Sequence, residues 1–312
     1  MDWTEVQPAG DANKNWTGGG GRVSSDGQKM VCAISNGRMY KSSNGGVDWS
    51  ETMPAGDANK NWVSVKMSND GNCIFATVRL GRCYYSSDFG DNWAEVQPNG
   101  NNNGNYRSIA MSADGTKLMV ADEQAIRYSA DSGSSWSTKK SGRFFLCNLS
   151  SDGSKMIAGI DVGALYYSSN TGSNWSSKGP SGNHYWTGSG MSDDGTKMIV
   201  SAETQGAYLS INSATSFKNV TIFNSKNNTY CSGMNSDGTK IGQTANAFRP
   251  YFTSDGGTTW EELRPGSDTN IPYPTLLSFN DDGTKFLLGV WGGRLYVGTV
   301  ALPGSSKFFQ LF

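Results

Sequence analysis

Two of three acidic residues in the middle of the chain could act together as a catalytic pair. Glu123, Asp161 and Glu203 each lie nine residues after the Asp of an S-x-D-G turn, in three successive copies of that turn. Two carboxylates facing each other at roughly 5 to 9.5 Å are the arrangement with which glycosidases supply an acid and a base or nucleophile. Glycoside hydrolysis is therefore a candidate activity, although the chain has no long insertion that would build the walls of a substrate cleft.

Other catalytic and metal-binding patterns are missing from the sequence. His184 is the single histidine, which disfavours a His-based triad, and no nucleophile elbow, P-loop or metal-ligand cluster occurs. The cysteines lack CxxC spacing, so they predict buried free thiols instead of a zinc site or a disulfide framework. They are Cys32, Cys73, Cys83, Cys147 and Cys231. No cofactor or metal is expected.

Arginines occupy a second repeated position, where they could bind an anion. Four copies of the repeat carry an Arg twelve residues after the turn Asp: Arg38, Arg82, Arg249 and Arg294. A guanidinium fork suits carboxylate, phosphate or sulfate groups. Because the three carboxylates belong to other copies, the sequence predicts a surface divided into an Arg half and a carboxylate half. The alternative is that each of these charges is an ordinary solvated turn residue.

Aromatic residues that follow Asn- and Gly-rich segments favour carbohydrate recognition. The segment "PAGDANKNW" occurs at residues 8–16 and again at 54–62, and related segments precede other aromatics. The resulting set is Trp16, Trp62, Tyr106, Trp186 and Tyr230, with Phe144 and Tyr273 in the corresponding region of the shorter or altered segments. Aromatic faces beside amide side chains suit the C–H faces and hydroxyl edges of a pyranose. The alternative is that these rings begin the innermost strand and fill the top of a channel.

Two further residues are predicted to contact a ligand. His184 lies in the connecting segment "GNHYW", where it is expected to meet ligand or solvent. Trp291 precedes "GGR", and a large aromatic side chain in an exposed Gly turn usually serves a contact. Together with Arg294, Trp291 is the best-defined individual site candidate.

A repeat of 38 to 45 residues positions all of these side chains. Each copy contains a turn Asp, and the turn Asp residues are Asp26, Asp70, Asp114, Asp152, Asp194, Asp237 and Asp282. A Tyr follows fourteen residues later: Tyr40, Tyr84, Tyr128, Tyr166, Tyr208, Tyr251 and Tyr296. About nine residues further comes a closing aromatic: Trp49, Trp93, Trp136, Trp175, Phe217 and Trp260. The sequence therefore predicts seven repeats.

Period-2 hydrophobicity and short Gly, Asn and Asp turns predict four antiparallel strands, A to D, in each repeat. The closing aromatic of the seventh repeat is missing at the C-terminal end, and "DWTEVQPAG" at residues 2–10 matches "NWAEVQPNG" at 92–100. Trp3 and its strand should therefore close a ring, which removes free sheet edges. The predicted fold is an all-β, seven-bladed β-propeller of four-stranded antiparallel blades. It is a single domain spanning residues 1–312, in which residues 1–10 complete the last blade.

An apolar residue stands three positions before each turn Asp, and we expect it to pack between blades. This set is Val23, Met67, Met111, Leu149, Met191, Met234 and Phe279. Each repeat has too little apolar surface to fold alone, so its stability should come from stacking against its neighbours.

The segment from strand C to strand D resembles a known repeat. "SSNGGVDW" (42–49), "SSDFGDNW" (86–93), "SADSGSSW" (129–136), "SSNTGSNW" (168–175) and "TSDGGTTW" (253–260) resemble the Asp-box, or BNR, repeat, and "SINSATSF" (210–217) is a degenerate copy. That family implies a propeller fold and includes sialidases, xyloglucan-active glycosidases, sortilin-type receptors, a photosystem II assembly factor and sugar-binding proteins. The fold alone does not imply a function.

The sequence departs from the sialidase pattern. The segment Phe248-Arg249-Pro250 resembles the sialidase F/Y-R-x-P segment but lacks the intervening residue and lies in the sixth repeat. Sialidases are also six-bladed.

The boxes themselves are expected to fasten hairpins. Each box has at most two acidic side chains, which is too few for a calcium site.

Boxes and S-x-D-G turns should share one rim of the propeller, here called the box rim. Function is then expected at the other rim, made of the B–C turns and the D–A connections and here called the connection rim.

A net charge of -1 disfavours nucleic acid and anionic membrane as partners. With no signal-peptide pattern or transmembrane-length run, we expect a soluble chain, cytosolic or secreted without its leader.

These features together predict a monomeric, non-enzymatic binding module at the connection rim. The expected ligand is a carbohydrate or another small polar or anionic molecule. The alternatives are a protein-docking propeller that uses an Arg-rich face, and a glycoside hydrolase that uses the rim carboxylates.

Overall fold

The computed structural model describes residues 1–222, 229–265 and 273–300, and in these ranges the ordered elements are β-strands with no helix. None of this part of the chain forms a helix able to cross a membrane. The strands are β1 (Asp2–Val6), β2 (Lys14–Val23), β3 (Met30–Gly37), β4 (Met39–Ser42), β5 (Ser50–Thr52), β6 (Lys60–Met67), β7 (Ile74–Gly81), β8 (Cys83–Ser86), β9 (Ala94–Val96), β10 (Pro98–Asn101), β11 (Gly104–Met111), β12 (Leu118–Asp122), β13 (Ala125–Ser129), β14 (Ser137–Ser141), β15 (Phe144–Leu149), β16 (Met156–Ile160), β17 (Leu165–Ser168), β18 (Ser176–Lys178), β19 (Trp186–Met191), β20 (Met198–Ala202), β21 (Gly206–Ser210), β22 (Lys218–Asn219), β23 (Thr229–Met234), β24 (Ile241–Ala245), β25 (Tyr251–Thr253), β26 (Glu261–Glu262), β27 (Pro274–Phe279), β28 (Lys285–Gly293) and β29 (Leu295–Thr299). The all-β prediction is confirmed.

The strands pair as antiparallel groups of four, here called units. In unit 2, Val65 of β6 pairs with Ala76 of β7, which pairs with Tyr84 of β8, and Tyr84 pairs with Glu95 of β9. The units are β2–β5 (unit 1), β6–β9 (unit 2), β11–β14 (unit 3), β15–β18 (unit 4), β19–β22 (unit 5), β23–β26 (unit 6) and β27–β29 with β1 (unit 7). Some units also pair with each other, which gives one 16-stranded sheet and three 4-stranded sheets, and the described strands form no closed sheet.

The N-terminal strand pairs with the last described strand. β1 lies antiparallel to β29, with Trp3 opposite Gly298 and Glu5 opposite Tyr296. The Trp3 ring packs 6.0 Å from the ring of Phe286 in β28. Trp3 thus holds in unit 7 the place that the closing aromatics hold in the other units.

The apolar core lies between adjacent units. In one cluster, Val31 and Met39 of unit 1 pack against Trp62 and Ile74 of unit 2. Each such cluster contains a closing aromatic and, as predicted, the apolar residue three positions before a turn Asp. One cluster joins unit 7 to unit 1 through Leu276, Leu295 and Trp16. Burial between units, more than within them, therefore supplies the hydrophobic stabilisation.

The cysteines are free thiols in the described part of the chain. Cys32, Cys83 and Cys147 are buried, as predicted, whereas Cys73 is partly exposed. The Cys231 side chain lies outside the described residues.

The box hairpins are held by side-chain oxygens that accept backbone N–H groups. In the box at 86–93, the Ser86 hydroxyl donates to Asp88 at 2.8 Å, and Asp88 accepts the Asn92 N–H at 2.9 Å. Gly90, at φ 78°, accepts the Trp93 indole N–H at 3.1 Å. Hydrogen bonds from the backbone and side chain of Asn92 lower the pKa of Asp88 to about 2. This is the predicted hairpin-fastening role.

A chain of hydrogen bonds links the S-x-D-G turns of successive units. The residue before each turn Asp donates its N–H to the equivalent residue of the next unit. The links are Ser25 to Asn69 (2.9 Å), Asn69 to Ala113 (2.9 Å), Ala113 to Ser151 (3.0 Å), Ser151 to Asp193 (3.0 Å), Asp193 to Ser236 (2.7 Å) and Asp281 to Ser25 (3.4 Å). Between Ser236 and Asp281 the acceptor is the Asp281 carboxylate, at 2.9 Å. The box rim is thus tied together by main-chain geometry, which leaves the connection rim as the variable end.

Candidate functional site

The carboxylates predicted from the sequence meet in an ion-pair network on units 3 and 4. Glu123 accepts a hydrogen bond from Arg107 and lies 3.3 Å from the Arg143 guanidinium. The other nitrogen of the same guanidinium lies 3.1 Å from Asp161. Arg143 therefore bridges two of the three predicted carboxylates, and the sequence analysis had not identified either arginine.

The ends of inner strands and their neighbours position this network. Arg107 lies in β11, and Glu123 directly follows β12, its antiparallel partner. Arg143 precedes β15 and Asp161 follows β16, so the Asp161 N–H donates to the Arg143 carbonyl at 3.1 Å. Each charge is thus fixed at the connection rim by a strand pair.

An aromatic pair completes the cluster. The Phe145 ring lies 4.3 Å from the Arg107 guanidinium and 5.3 Å from that of Arg143. Tyr185 packs edge-on against Phe145, with ring centroids 6.0 Å apart, and its side chain is 40% exposed. The nearby Asp161 carboxylate raises the pKa of Tyr185. Arg107, Glu123, Arg143, Phe145, Asp161 and Tyr185 are called the rim cluster below.

The electrostatics of the rim cluster do not suit glycoside hydrolysis. The hydrogen bond from Arg107 lowers the pKa of Glu123, whereas a catalytic acid needs a raised pKa. The guanidinium of Arg143 stands between Glu123 and Asp161, where a substrate or water would have to be. Glu203 is held at the same edge, since its N–H donates to the Tyr185 carbonyl at 2.8 Å. The geometry therefore favours recognition over catalysis.

The predicted arginine set is engaged in ion pairs within its own units. Each of these arginines faces a Glu of strand D: Arg38 faces Glu51 at 3.4 Å, Arg82 faces Glu95 at 3.5 Å, Arg249 faces Glu262 at 3.6 Å and Arg294 faces Glu5 at 3.5 Å. Arg38 also pairs with Asp57, and Arg294 lies 2.7 Å from Asp11. The prediction of an Arg half and a carboxylate half is wrong, because cross-strand glutamates on β-strand D accompany the arginines.

The predicted aromatic platform is wrong for its buried members, which include Phe144, whereas Tyr273 is exposed and the Tyr230 side chain lies outside the described residues. Trp16, Trp62, Tyr106 and Trp186 are all at least 98% buried in the clusters between units. The Trp62 indole N–H donates to the Gly37 carbonyl of unit 1 at 3.0 Å, and that of Trp186 donates to Gly163 of unit 4 at 3.0 Å. These rings lock each inner strand to the B–C turn of its neighbour, so they offer no face to a ligand.

His184 is likewise a structural residue. It is 4% exposed, pairs through Nδ1 with Gln205, and approaches the Ser181 carbonyl through Nε2 at 3.1 Å. Its ring packs 4.9 Å from Trp186. The expected contact with ligand or solvent is therefore wrong, because both ring nitrogens have protein partners in a buried site.

Trp291 is exposed, as the sequence predicted. Its side chain is 42% exposed, and its N–H donates to the carbonyl of Tyr273 at 2.8 Å, whose own side chain is 48% exposed. Both residues line a cavity of about 820 Å³ that runs along the inner strands. Trp291 and Tyr273 are thus two exposed aromatic residues, joined by a backbone hydrogen bond, that line this cavity.

The solved structures with similar shape decide the fold. The chain has the fold of a β-propeller. It is similar to YCF48 bound to a D1 peptide, with a TM-score of 0.68, 14% identity, and coverage of 96% of this chain and 95% of that chain. It is similar to YCF48 from Cyanidioschyzon merolae, with a TM-score of 0.69, 13% identity, and coverage of 96% and 99%.

A third similar structure belongs to an enzyme. It is the GH74 xyloglucanase from Xanthomonas campestris, with a TM-score of 0.72, 12% identity, and coverage of 95% of this chain and 53% of the xyloglucanase chain. No protein-family model and no curated protein matches the sequence. At these identities the likeness establishes the propeller fold alone.

Exposed apolar side chains concentrate on one rim of the propeller. Of the nine large exposed hydrophobic residues in the described part, six lie in B–C turns or D–A connections: Met53, Leu80, Val162, Tyr185, Tyr273 and Trp291. The other three, Met1, Val47 and Ile211, lie at the box end. In the described part of the chain, the connection rim therefore carries more exposed large apolar side chains than the box rim.

The sequence contained one signal for the residues that were missed. Arg107 and Phe145 each directly follow the buried aromatic that begins an inner strand, whereas Gly or Thr stands nearby in unit 1 and unit 5. A cationic and a large aromatic side chain at this position distinguish units 3 and 4 from units 1, 2 and 5, which have Thr17, Val63 and Thr187 there. No group of metal-ligating side chains occurs among the residues that the structure describes.

Proposed function

We propose that this protein is a non-enzymatic docking propeller that binds a polypeptide segment on its connection rim. The observation that carries the proposal is the placement of six of the nine exposed large apolar side chains on that rim. Exposed apolar groups gathered on one face cost solvation free energy unless a partner covers them. A propeller without a binding partner would be equally stable with polar residues at these rim positions.

The rim cluster supplies the kind of anchors that protein interfaces use. Arg, Tyr and Trp dominate the residues whose truncation weakens complexes most. Phe145 and Tyr185 present aromatic edges, and Arg107 and Arg143 present guanidinium groups already oriented by carboxylates. One propeller of similar fold, YCF48, binds a D1 peptide, which is a precedent for peptide binding on this architecture. The Arg pairs of the other units are repeated scaffold contacts and are not required for this role.

We further propose that the chain is one seven-bladed domain closed by its N-terminal strand, with Asp-box hairpins fastening the blades. The β1–β29 pairing, the apolar cluster between units 7 and 1, and the chain of links from Ser25 to Asp281 support closure. The box hydrogen bonds support the hairpin role. The end of the chain, residues 301–312, lies outside the described residues.

Peptide selection on the full chain tests docking. A random peptide display library is panned on the protein, and selected peptides are measured against Tyr185→Ala and, as a matched control on the opposite rim, Ile211→Ala. Removing a hot-spot side chain costs about 2 kcal/mol, or about 30-fold in affinity. We expect that loss with Tyr185→Ala and unchanged affinity with Ile211→Ala. Peptides that lose affinity only with Ile211→Ala, or no enrichment of any peptide, would contradict the proposal.

Carbohydrate binding is the second candidate, and the Trp291–Tyr273 pair favours it. Two exposed aromatics beside a cavity can stack on a sugar ring. A glycan array probed with the full chain tests this, and binding should be lost with Trp291→Ala but kept with Tyr185→Ala. A blank array together with peptide binding that requires Tyr185 selects docking instead.

A further inference from the structure

The central cavity carries two cations at one level of its wall. Arg22 of β2 and Lys66 of β6 each lie four residues before their turn Asp, and both line the cavity. β2 and β6 contact each other, so the two charges are on the same side of the cavity. The equivalent residues of the other units are uncharged: Ala110, Asn148, Gly190, Gly233 and Ser278.

Folding does not require this charge pair. Five of the seven repeats fill the position with small or neutral side chains while keeping the same strand pairing. Two cations on adjacent strands repel each other, and a partly buried setting strengthens that repulsion. An anion between them would convert the repulsion into attraction, and Arg and Lys together suit an oxyanion.

The remaining charged residues of the cavity lining make its two ends electrostatically different. Arg107 lines it nearer the connection rim, while Asp193 and Asp281 line it at the S-x-D-G end. Burial and the nearby Asp281 raise the pKa of Asp193. Three residues of strand separate the level of Arg22 from that of the acids, a distance of about 10 Å. An anion entering beside Trp291 and Tyr273 therefore meets positive charge first and is kept from the acidic end.

We propose that the cavity binds a small free oxyanion, of the size of phosphate or a short dicarboxylate, between Arg22 and Lys66. The volume of about 820 Å³ accommodates such an ion together with its water. Lys66 is the side chain that gives the site its second charge. Asn148 supplies a polar group on the facing wall, and Ser278, whose Oγ accepts the Val23 N–H at 3.2 Å, supplies one beside Arg22. Arg107 belongs to both the cavity lining and the rim cluster, but Arg22 and Lys66 lie outside that cluster, so the site does not depend on peptide docking.

Calorimetry and thermal unfolding of the full chain with inorganic phosphate test the site, with chloride at matched ionic strength as reference. We expect phosphate to bind and to raise the Tm of the wild type. Lys66→Gln and Arg22→Gln should each weaken phosphate at least about tenfold, because each removes one charge-assisted contact. Lys218→Gln removes the same charge from the outer strand β22 and should leave phosphate binding unchanged.

The variants must first be shown to be folded. Without phosphate, the circular dichroism spectra of Lys66→Gln and Arg22→Gln should match that of the wild type, so loss of binding in either variant cannot be attributed to misfolding. Phosphate binding that survives Lys66→Gln and Arg22→Gln together would overturn the assignment, as would the absence of any phosphate effect beyond that of chloride. Binding of an acidic peptide without binding of phosphate would overturn it as well. Tyr185→Ala should not alter phosphate affinity, so failure here and failure of peptide docking are distinguishable.

Discussion

Trp62→Ala and Trp291→Ala delete the same side chain from opposite environments, and their comparison tests how the aromatic residues are used. Trp62 is 2% exposed, packs 5.8 Å from Tyr84, and donates its indole N–H across the unit boundary to Gly37. Trp291 is 42% exposed and lines the cavity. If the buried ring is a fastener between units, only its deletion should unfold the protein easily.

The expected magnitude follows from the contacts of Trp62. Truncating a buried Trp to Ala costs about 3 to 5 kcal/mol, because the cavity left behind relaxes only in part. The Gly37 carbonyl also loses its donor, which adds about 1 kcal/mol. The sum of about 4 to 6 kcal/mol is a large share of the 5 to 15 kcal/mol that is typical of a native protein. For Trp291→Ala we expect a change below about 1 kcal/mol, since most of the ring already meets water.

Urea unfolding followed by circular dichroism measures both values, with Trp62→Phe as an intermediate that keeps most of the ring but not the N–H. We expect the order wild type, Trp62→Phe, Trp62→Ala in decreasing midpoint, with Trp291→Ala beside the wild type. A Trp62→Ala protein as stable as the wild type would refute the fastener role. Peptide or glycan binding that Trp62→Ala abolishes in a fully stable protein would restore Trp62 as a ligand contact.

Two further predictions concern charge. Because the pKa of Asp88 is about 2 in the folded protein against an ordinary value of 3.8, its carboxylate stabilises the fold above about pH 4, and this contribution disappears as the pH falls toward 2. The Tm difference between wild type and Asp88→Asn should therefore shrink on acidification, and a constant difference would contradict this reasoning. Arg127→Met should destabilise by about 3 kcal/mol, because it leaves the buried Asp122 carboxylate without its cation, with only the N–H groups of Gln124 and Ala125 as partners. Arg82→Met breaks a partly exposed pair and should cost below about 1 kcal/mol in the same urea titration.

The periodic features of the fold could be predicted because each repeat must satisfy the same local chemistry. A turn such as that at Asp26 needs a side-chain acceptor and a Gly at positive φ, and here Asp26 accepts the Gln28 N–H at 2.9 Å while Gly27 has φ 75°. The match between residues 2–10 and 92–100 likewise predicted a strand partner for Trp3, and β1 pairs with β29. Local chemistry that recurs at a fixed spacing is readable without coordinates.

The partners of the candidate residues could not be predicted, because they depend on contacts across strands and units. Glu123 was identified from its position, but its neighbour Arg107 lies 16 residues earlier on the paired strand. The sequence also does not show which way an aromatic side chain at the start of an inner strand points. Trp62 could face a channel or the next unit, and the acceptor that decides between them, Gly37, is 25 residues away.

Recurrence among the units is what separates scaffold from site in this propeller. The Arg–Glu pair between strands C and D appears with Arg38, Arg82, Arg249 and Arg294, so one structural need in each of those units explains it. Arg143 has no such counterpart among these pairs, and it joins carboxylates that belong to two different units. A repeat protein can conserve its fold with the recurring contact alone. A contact that is made once, on the rim where apolar side chains are exposed, is therefore not explained by the needs of the fold. It points to a binding partner, which is why we place the partner at the rim cluster.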